Sequence, residues 1–354
     1  MENMVKNNKF FNFFYKKKIL IMGNTGFVGS WLTLLLSLFK ANILGISLRM
    51  KHKKYISNST IFKKKHKTLF IDINNFKSLE KKILKFKPDI IIHLASQPLV
   101  FEGLKHPKNT FLTNIGGTIN LLEISRKLPN LKKLLIFTSD KVYKTTKKKI
   151  YYQENSEIGG IDPYSSSKSC QDLISKCYSI NYLSKIQTII IRSGNIIGGG
   201  DWSKKRLIPD IVNTYFTKEN LKLRNKDAIR PWIHIFDVLH GILLSLIIDK
   251  SNKKTLSIYN FAPSKKNQVS VGKIIKLIKT KTLLKNFRYN YEKQKFKESK
   301  FLRLSSKFAK LKIGWSAKLN IVDSLKNTIE WYILANKKNV YNYSILKLKE
   351  YFKI

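Results

Sequence analysis

Cysteine is nearly absent from this chain of 354 residues: Cys170 and Cys177 are its only two. Two thiols build no disulfide framework, which points to a reducing compartment, the cytoplasm. Glycine (16) and proline (8) are too few for a collagen-like or low-complexity chain. The longest mostly apolar stretch, Val238–Ile248, contains His240 and falls well short of the roughly 20 residues needed to span a bilayer. No membrane span is expected. The first 17 residues, basic and aromatic, lack the apolar core of a signal peptide and read as an extension before the first strand. No His, Cys, Asp or Glu group has metal-ligand spacing, so no metal is expected.

Acidic residues are scarce as well. Asp and Glu number 22 against 68 Lys and Arg, a net charge of +46. Such a field attracts polyanions. Only eight of the basic residues are arginine, however, and the lysines run along the whole chain. Specific nucleic-acid readers cluster arginine forks at their sites. The excess therefore reads as a lysine-rich composition, with no specific nucleic acid as partner. With 43% hydrophobic residues the chain has ample material for a large core.

Strand-length apolar runs alternate with amphipathic stretches through the first half. Strands are expected at Lys18–Met22, Asn42–Leu48, Thr68–Ile71, Asp89–Leu94, Leu134–Ser139 and Gln187–Arg192. Helices are expected at Gly29–Phe39, Leu79–Phe86, Asn114–Leu128 and Tyr164–Leu183. Strands that are apolar on both faces, separated by helices, imply a parallel sheet covered on both sides. Leu256–Phe261 reads as a strand returning to that sheet. The remainder is lysine-rich and largely helical, with a last helix over Ile321–Leu334. The fold class is thus α/β: a Rossmann-type doubly wound parallel sheet with a smaller, interleaved α/β substrate lobe. The expected division is 1–195, with 232–262 returning to it, for dinucleotide binding, and 196–231 plus 263–354 for substrate.

Three features carry chemistry. First, the strand KILIM runs into Gly23-Asn-Thr-Gly26-Phe-Val-Gly29 and then a helix. Glycines make the turn tight and leave bare backbone for a pyrophosphate, which the helix N-terminus attracts. The acidic residue that usually follows about 20 residues on is missing. Strand two ends Ser47-Leu48-Arg49, where an arginine either favours a 2′-phosphate or faces solvent. Asp72, closing strand three, is a candidate for the adenine amino group. Second, Tyr164 and Lys168 stand at i and i+4 on one helical face. A phenol with pKa near 10 is a poor base; an adjacent ammonium should lower that value. Ser139, ending strand five, is placed to bond the same substrate oxygen. Third, four of the eight arginines lie between 192 and 230. Forked guanidinium groups suit phosphate oxygens, so Arg206, Arg224 and Arg230, with Asn195, are candidates for substrate contacts. Arg192 reads instead as a structural ion pair. His93 and His234 read as structural too, and Cys170 and Cys177 as core thiols. Asp201-Trp202 is open between loop packing and a substrate loop.

The segments GNTGFVGSWL (23–32), HLASQPLV (93–100), TSDKVY (138–143), DPYSSSK (162–168), RSGNIIGGGDW (192–202), RLIPD (206–210) and RPWIHIFDVLHG (230–241) occur in the order found in one family. The chain resembles the extended short-chain dehydrogenases/reductases over about residues 18–262. Within them it resembles the nucleotide-sugar 4,6-dehydratases, and among these the group acting on CDP-glucose. The resemblance implies bound NAD, held by Gly23, Thr25, Gly26, Phe27, Gly29, Asp72, Ile73, Leu94, Ala95, Asn114, Tyr164 and Lys168. It implies a nucleotide-sugar substrate, contacted by Gln97 and the residues named above. Ser139, Tyr164 and Lys168 would serve oxidation at C4, and Asp140 would protonate the departing C6 hydroxyl. Most sister dehydratases carry a glutamate next, as C5 base; here stands Lys141, as in the CDP-glucose group. A protonated lysine accepts no proton. Lys141 must therefore act as a neutral amine, or stay charged and steady the enolate while another group or water moves the proton. The likeness further implies a homo-oligomer, paired through Asn114–Leu128 and Tyr164–Leu183, and a role in deoxysugar and surface-polysaccharide biosynthesis. An epimerase or reductase of the same family, or a non-catalytic RNA-binding member, are the alternative readings.

Overall fold

The computed structural model describes residues 9–354 except 51, 53, 147, 224, 249–254, 292–300 and 336–339. Seven strands form one sheet: β1 (Lys18–Met22), β2 (Asn42–Ser47), β3 (Thr68–Phe70), β4 (Ile90–His93), β5 (Lys133–Phe137), β6 (Gln187–Ser193) and β7 (Leu256–Phe261). Their order is β7-β6-β5-β4-β1-β2-β3, and every neighbouring pair is parallel. Strand order reverses between β1 and β4, the point where such sheets open a ligand crevice at their C-terminal ends.

The helices that bear on the site and core are α1 (Lys9–Phe14), α2 (Phe27–Leu38), α3 (Phe76–Phe86), α4 (Gly117–Arg126), α5 (Pro163–Asn181), α6 (Leu207–Thr217), α7 (Ile235–Ile247), α8 (Ile321–Ala335) and α9 (Val340–Phe352); Val271–Lys281, Lys307–Ile313 and several short helical turns are further helical segments among the described residues. Local chemistry sets their ends. Asn75 caps α3, its side chain accepting from the Ser78 amide at 3.1 Å. Asp162 does the same for α5, with Pro163 in the first turn. α2 is buried along most of its length, and its Trp31 donates to the Gly199 carbonyl at 2.8 Å. One hydrophobic cluster joins that face of the sheet to α7, α8 and α9. A second, built on Leu20, Leu44, Ile91 and Leu134, fills the opposite face. Beyond β6 the smaller elements pair as short ribbons, such as Ile229–Arg230 with Val269–Ser270. No helix among the described residues is long and apolar enough to cross a membrane.

The extension before β1 is helical and packed: α1 buries Phe10, Phe11 and Phe14, and Phe14 lies against Phe39. Two expectations need correction. The helix expected from Asn114 opens instead as a π-turn over Leu112–Gly116 before α4 begins. Finally, the cysteines are not core thiols. Cys170 is half-buried and Cys177 exposed, because α5 turns its serine-rich side inward.

Candidate active site

The glycine turn follows the C-terminal end of β1 and Ser139 that of β5. After β1, Gly23 takes φ +87°, a left-handed conformation suited to glycine. A Cβ there would come within 2.8 Å of the Ala95 amide nitrogen, and one on Gly29 would overlap the Gly23 carbonyl. The turn is therefore closed against side chains on two sides. At Gly26 an added Cβ meets only the Gly23 carbonyl, at 3.4 Å. Gly26 also begins α2 without a side-chain cap, leaving first-turn N–H groups to an anion. Thr25 ties the turn to the end of β2, through the Ser47 hydroxyl at 2.5 Å and the Leu48 carbonyl at 2.8 Å. Phe27 reaches towards Gly198. Asp72 accepts from the Asn74 amide at 2.8 Å, and Ile73 packs on Gly117. Arg49 stacks its guanidinium 4.0 Å from the centre of the Phe70 ring. Leu94 and Ala95 continue β4 beside the turn, the Leu94 amide bonding the Met22 carbonyl at 2.9 Å.

After β5, Ser139 caps a 3-10 turn over Asp140–Val142, its hydroxyl accepting from the Lys141 amide at 3.2 Å. The same hydroxyl donates to Asp140 Oδ1 at 2.9 Å. Asp140 Oδ2 is buried with no hydrogen-bond partner. Burial raises the Asp140 carboxyl pKa, against the pull of Lys141, Ser139 and Arg230. This carboxyl is thus biased towards its protonated, donating form.

Tyr164 and Lys168 project from the first turns of α5, both nearly inaccessible. Burial pushes the Tyr164 phenol up, with Ser139 and Arg206 opposing. Burial pushes the Lys168 amine down to about 7. The expectation of a phenol acidified by its ammonium is corrected here: burial is the largest influence on each group and biases both towards neutrality. Lys168 Nζ donates to the Gln171 Oε1 at 2.8 Å and to the Phe137 carbonyl at 3.3 Å. Asn114, in the π-turn, is fully buried; it bonds the Gln97 amide at 2.7 Å and the Ser167 hydroxyl at 2.9 Å.

The substrate candidates fare unevenly. Arg206 pairs with Asp201 at 3.0 Å and acts electrostatically on Tyr164. Arg230 is buried, donates to the Ile229 carbonyl at 2.8 Å, and acts on Asp140. Gln97 has both ends of its amide engaged, with Thr110 and with the Leu99 amide. The Asn195 carbonyl accepts from Ile233. Arg224 lies outside the described residues. Arg192 forms a buried bidentate pair with Asp172. Trp202 stacks on His52 at 4.5 Å, and Asp201 accepts from the Tyr332 hydroxyl through its backbone. His93 and His234 are buried, which lowers both to about 3. Sequence reasoning missed Gln171 and Thr118, which lie directly behind Lys168. The run of polar residues on one face of α5 was the available signal.

Comparison with known proteins agrees with this geometry. Residues 20–328 match the family described as GDP-mannose 4,6 dehydratase. CDP-glucose 4,6-dehydratase of Salmonella typhimurium is 31% identical over 335 residues, 91% of this chain and 92% of that protein. UDP-glucose 4-epimerase of Yersinia enterocolitica is 28% identical, over 88% of this chain and 96% of its own. Among solved structures, dTDP-glucose 4,6-dehydratase of Bacillus anthracis in complex with NAD superposes with a TM-score of 0.77 at 23% identity, covering 93% of this chain and 99% of that one. UDP-glucose 4-epimerase of Thermotoga maritima with UDP-glucose superposes at 0.80, with 20% identity over 91% and 100%. The chain therefore belongs to the GDP-mannose 4,6-dehydratase family, the nucleotide-sugar dehydratases and epimerases of the extended short-chain dehydrogenase/reductase type.

Proposed function

We propose that the chain is a nucleotide-sugar 4,6-dehydratase that converts CDP-glucose to CDP-4-keto-6-deoxyglucose with bound NAD. The buried Asp140 carboxyl beside Ser139, with one oxygen unpartnered, carries this reading over an epimerase. An epimerase needs the Tyr164–Lys168 pair but no acid for a leaving hydroxyl. The 31% identity to the Salmonella dehydratase supports CDP-glucose as the substrate.

The glycine turn fits a dinucleotide: a side chain would fill it at Gly23 and Gly29, and α2 starts uncapped. Gly23, Thr25, Gly26, Phe27 and Gly29 would hold the pyrophosphate side. Asp72 and Ile73 would face the adenosine, and Leu94, Ala95, Asn114, Tyr164 and Lys168 the nicotinamide side. When bound, NAD supplies the acceptor and later the donor of one hydride. Tyr164 takes the C4 hydroxyl proton once the Tyr164–Lys168 pair has shed one proton of its own, with Ser139 orienting that oxygen. The resulting ketone acidifies C5–H. Asp140 gives its proton to the C6 hydroxyl, which leaves as water. Lys141 flanks C5, either accepting its proton or steadying the enolate. C6 would regain the hydride that C4 gave up and C5 would regain a proton, while the proton lost from O4 matches the one given to the leaving hydroxyl, so the net change is loss of water without oxidation. Asn195, Arg206 and Arg230, with Arg224 and Gln97, would contact the substrate's sugar and diphosphate. Residues 1–195 and 232–262 would form the dinucleotide domain; 196–231 and 263–354 would form the substrate lobe. α5 leaves Leu173 and Ile180 exposed, which supports pairing of two copies through this helix.

The test is a panel of CDP-, dTDP-, GDP- and UDP-glucose with NAD or NADP, read by the alkali-induced absorbance of a 4-keto-6-deoxy sugar. CDP-glucose with NAD should give the signal. Its absence with every sugar, from folded protein, overturns the reading. Asp140→Asn should abolish dehydration; unchanged turnover would favour the epimerase.

A further inference from the structure

Behind the Tyr164–Lys168 pair runs a buried polar chain whose hydrogen-bond directions are fixed. Lys168 Nζ donates to Gln171 Oε1 at 2.8 Å. Gln171 is fully buried and donates its amide nitrogen to the Thr118 hydroxyl at 2.8 Å. Thr118 gives its one proton to the Asn114 carbonyl at 2.7 Å. His93 Nε2 approaches the same hydroxyl at 3.0 Å. Since the Thr118 proton is already donated, His93 must donate there, which leaves its Nδ1 as the buried acceptor without a partner. A flipped Gln171 amide would set NH₂ against the ammonium and a carbonyl against an oxygen with no proton to offer. Its carbonyl therefore faces Lys168 by construction.

We propose that Gln171 is a positioning residue of the C4 base: its Thr118-locked carboxamide holds the Lys168 amine in place and sets how many protons the Tyr164–Lys168 pair carries at a given pH. This rests on the reading of that pair as the base. The carboxamide is a neutral acceptor. It favours the ammonium without supplying a countercharge, so burial still draws the amine down to about 7. A carboxylate in its place would keep the ammonium to higher pH, and an alkyl group would release it sooner. Other titratable and charged groups face the pair from the surrounding elements. Tyr164 lies on the same helix with Asp162 at its cap, Arg206 before α6 and Asp140 on the turn after β5 both act on Tyr164, and His93, held neutral, lies on β4. Arg192 of β6 is bound to Asp172.

The experiment follows the Lys168 amine by NMR in full-length protein labelled with ¹³C at lysine Cε, the signal identified by its loss in Lys168→Met. The wild-type midpoint should fall near 7. Gln171→Glu should raise it by at least about one pH unit, and Gln171→Leu should lower it. The acid limb of C4 oxidation, read as absorbance at 340 nm, should move in the same directions. Should Gln171→Leu fail to fold, Gln171→Met carries the same expectation. Midpoints that stay fixed, or that move together in both variants, overturn the inference, since lost packing alone would not move them oppositely. Because the titration needs no turnover, a protein inactive on every nucleotide sugar refutes the proposed function while the titration still decides this point.

Discussion

Replacing Arg192 or Asp172 tests how far the catalytic helix depends on one buried charge pair. Arg192 is fully buried and donates Nε and Nη2 to the two Asp172 oxygens at 2.7 and 2.8 Å. Its Nη1 donates to the Tyr143 hydroxyl at 3.0 Å and the Glu154 carbonyl at 2.9 Å. Tyr143 passes on to Asn260 of β7 at 2.6 Å. α5, β6, β7 and the turn carrying Asp140 thus meet at one guanidinium. Asp172→Asn keeps the volume but leaves that cation buried without its countercharge. Breaking a buried pair in this way costs about 3–5 kcal/mol, against a total of about 5–15 kcal/mol for a typical protein. The melting temperature should fall on the order of 5–10 °C. Arg192→Met should cost somewhat less, because Lys176 stays within 3.0 Å of Asp172. The double change Arg192→Met with Asp172→Leu removes both desolvated charges and should recover most of the loss. Thermal melts of the four proteins decide the matter. Asp172→Asn within 1 °C of wild type, or a double variant no better than the singles, would refute the argument.

Gly29→Ala should destabilise the protein by about 1–3 kcal/mol and weaken dinucleotide binding at least tenfold, since its methyl overlaps the Gly23 carbonyl; fluorescence titration with NAD and a melt read the two effects. His93 and His234 are both held near 3 in the folded chain, against about 6.5 unfolded. Below 6.5 the unfolded chain binds protons the folded one refuses, so stability falls as pH drops, by roughly 2 kcal/mol per histidine between pH 8 and 5. His234→Asn, which retains an acceptor for the Phe236 amide, should remove one histidine's share of that slope in chemical denaturation. Leu173→Glu with Ile180→Glu should convert a proposed dimer to monomer in sedimentation without altering the melt of the subunit by more than a few degrees.

The sheet was legible because parallel strands are apolar on both faces: KILIM and DIIIHL announce themselves, whereas the adjacency of β1 and β4 is a long-range pairing that the alternation does not encode. The glycine turn was equally plain, since backbone geometry restricts it to few residue types. α5 was not. Its two cysteines read as core thiols, yet the helix turns its serines inward and leaves Cys177, Leu173 and Ile180 exposed. The inward serines satisfy themselves locally: Ser167 bonds the Tyr164 carbonyl at 2.7 Å, Ser169 the Ser165 carbonyl at 3.0 Å, and Ser175 the Gln171 carbonyl at 2.6 Å. Bonded in this way, a serine packs as a small residue and no longer needs water. The engagement of Arg206 with Asp201, or of Arg49 with Phe70, depends on contacts no local pattern encodes. The acidity of Tyr164 was misjudged for a similar reason. Spacing shows that a cation is near but not how dry the site is.

Phe10 of α1 meets Phe352 of α9 edge-on, with ring centres 6.4 Å apart, and His240 of α7 lies between the same partners. A ribosome releases the first of these aromatic rings long before α9 is synthesised. Until α9 emerges, Phe10 lacks part of its cover. This side of the core is thus closed late, by a contact between segments more than 300 residues apart in the sequence.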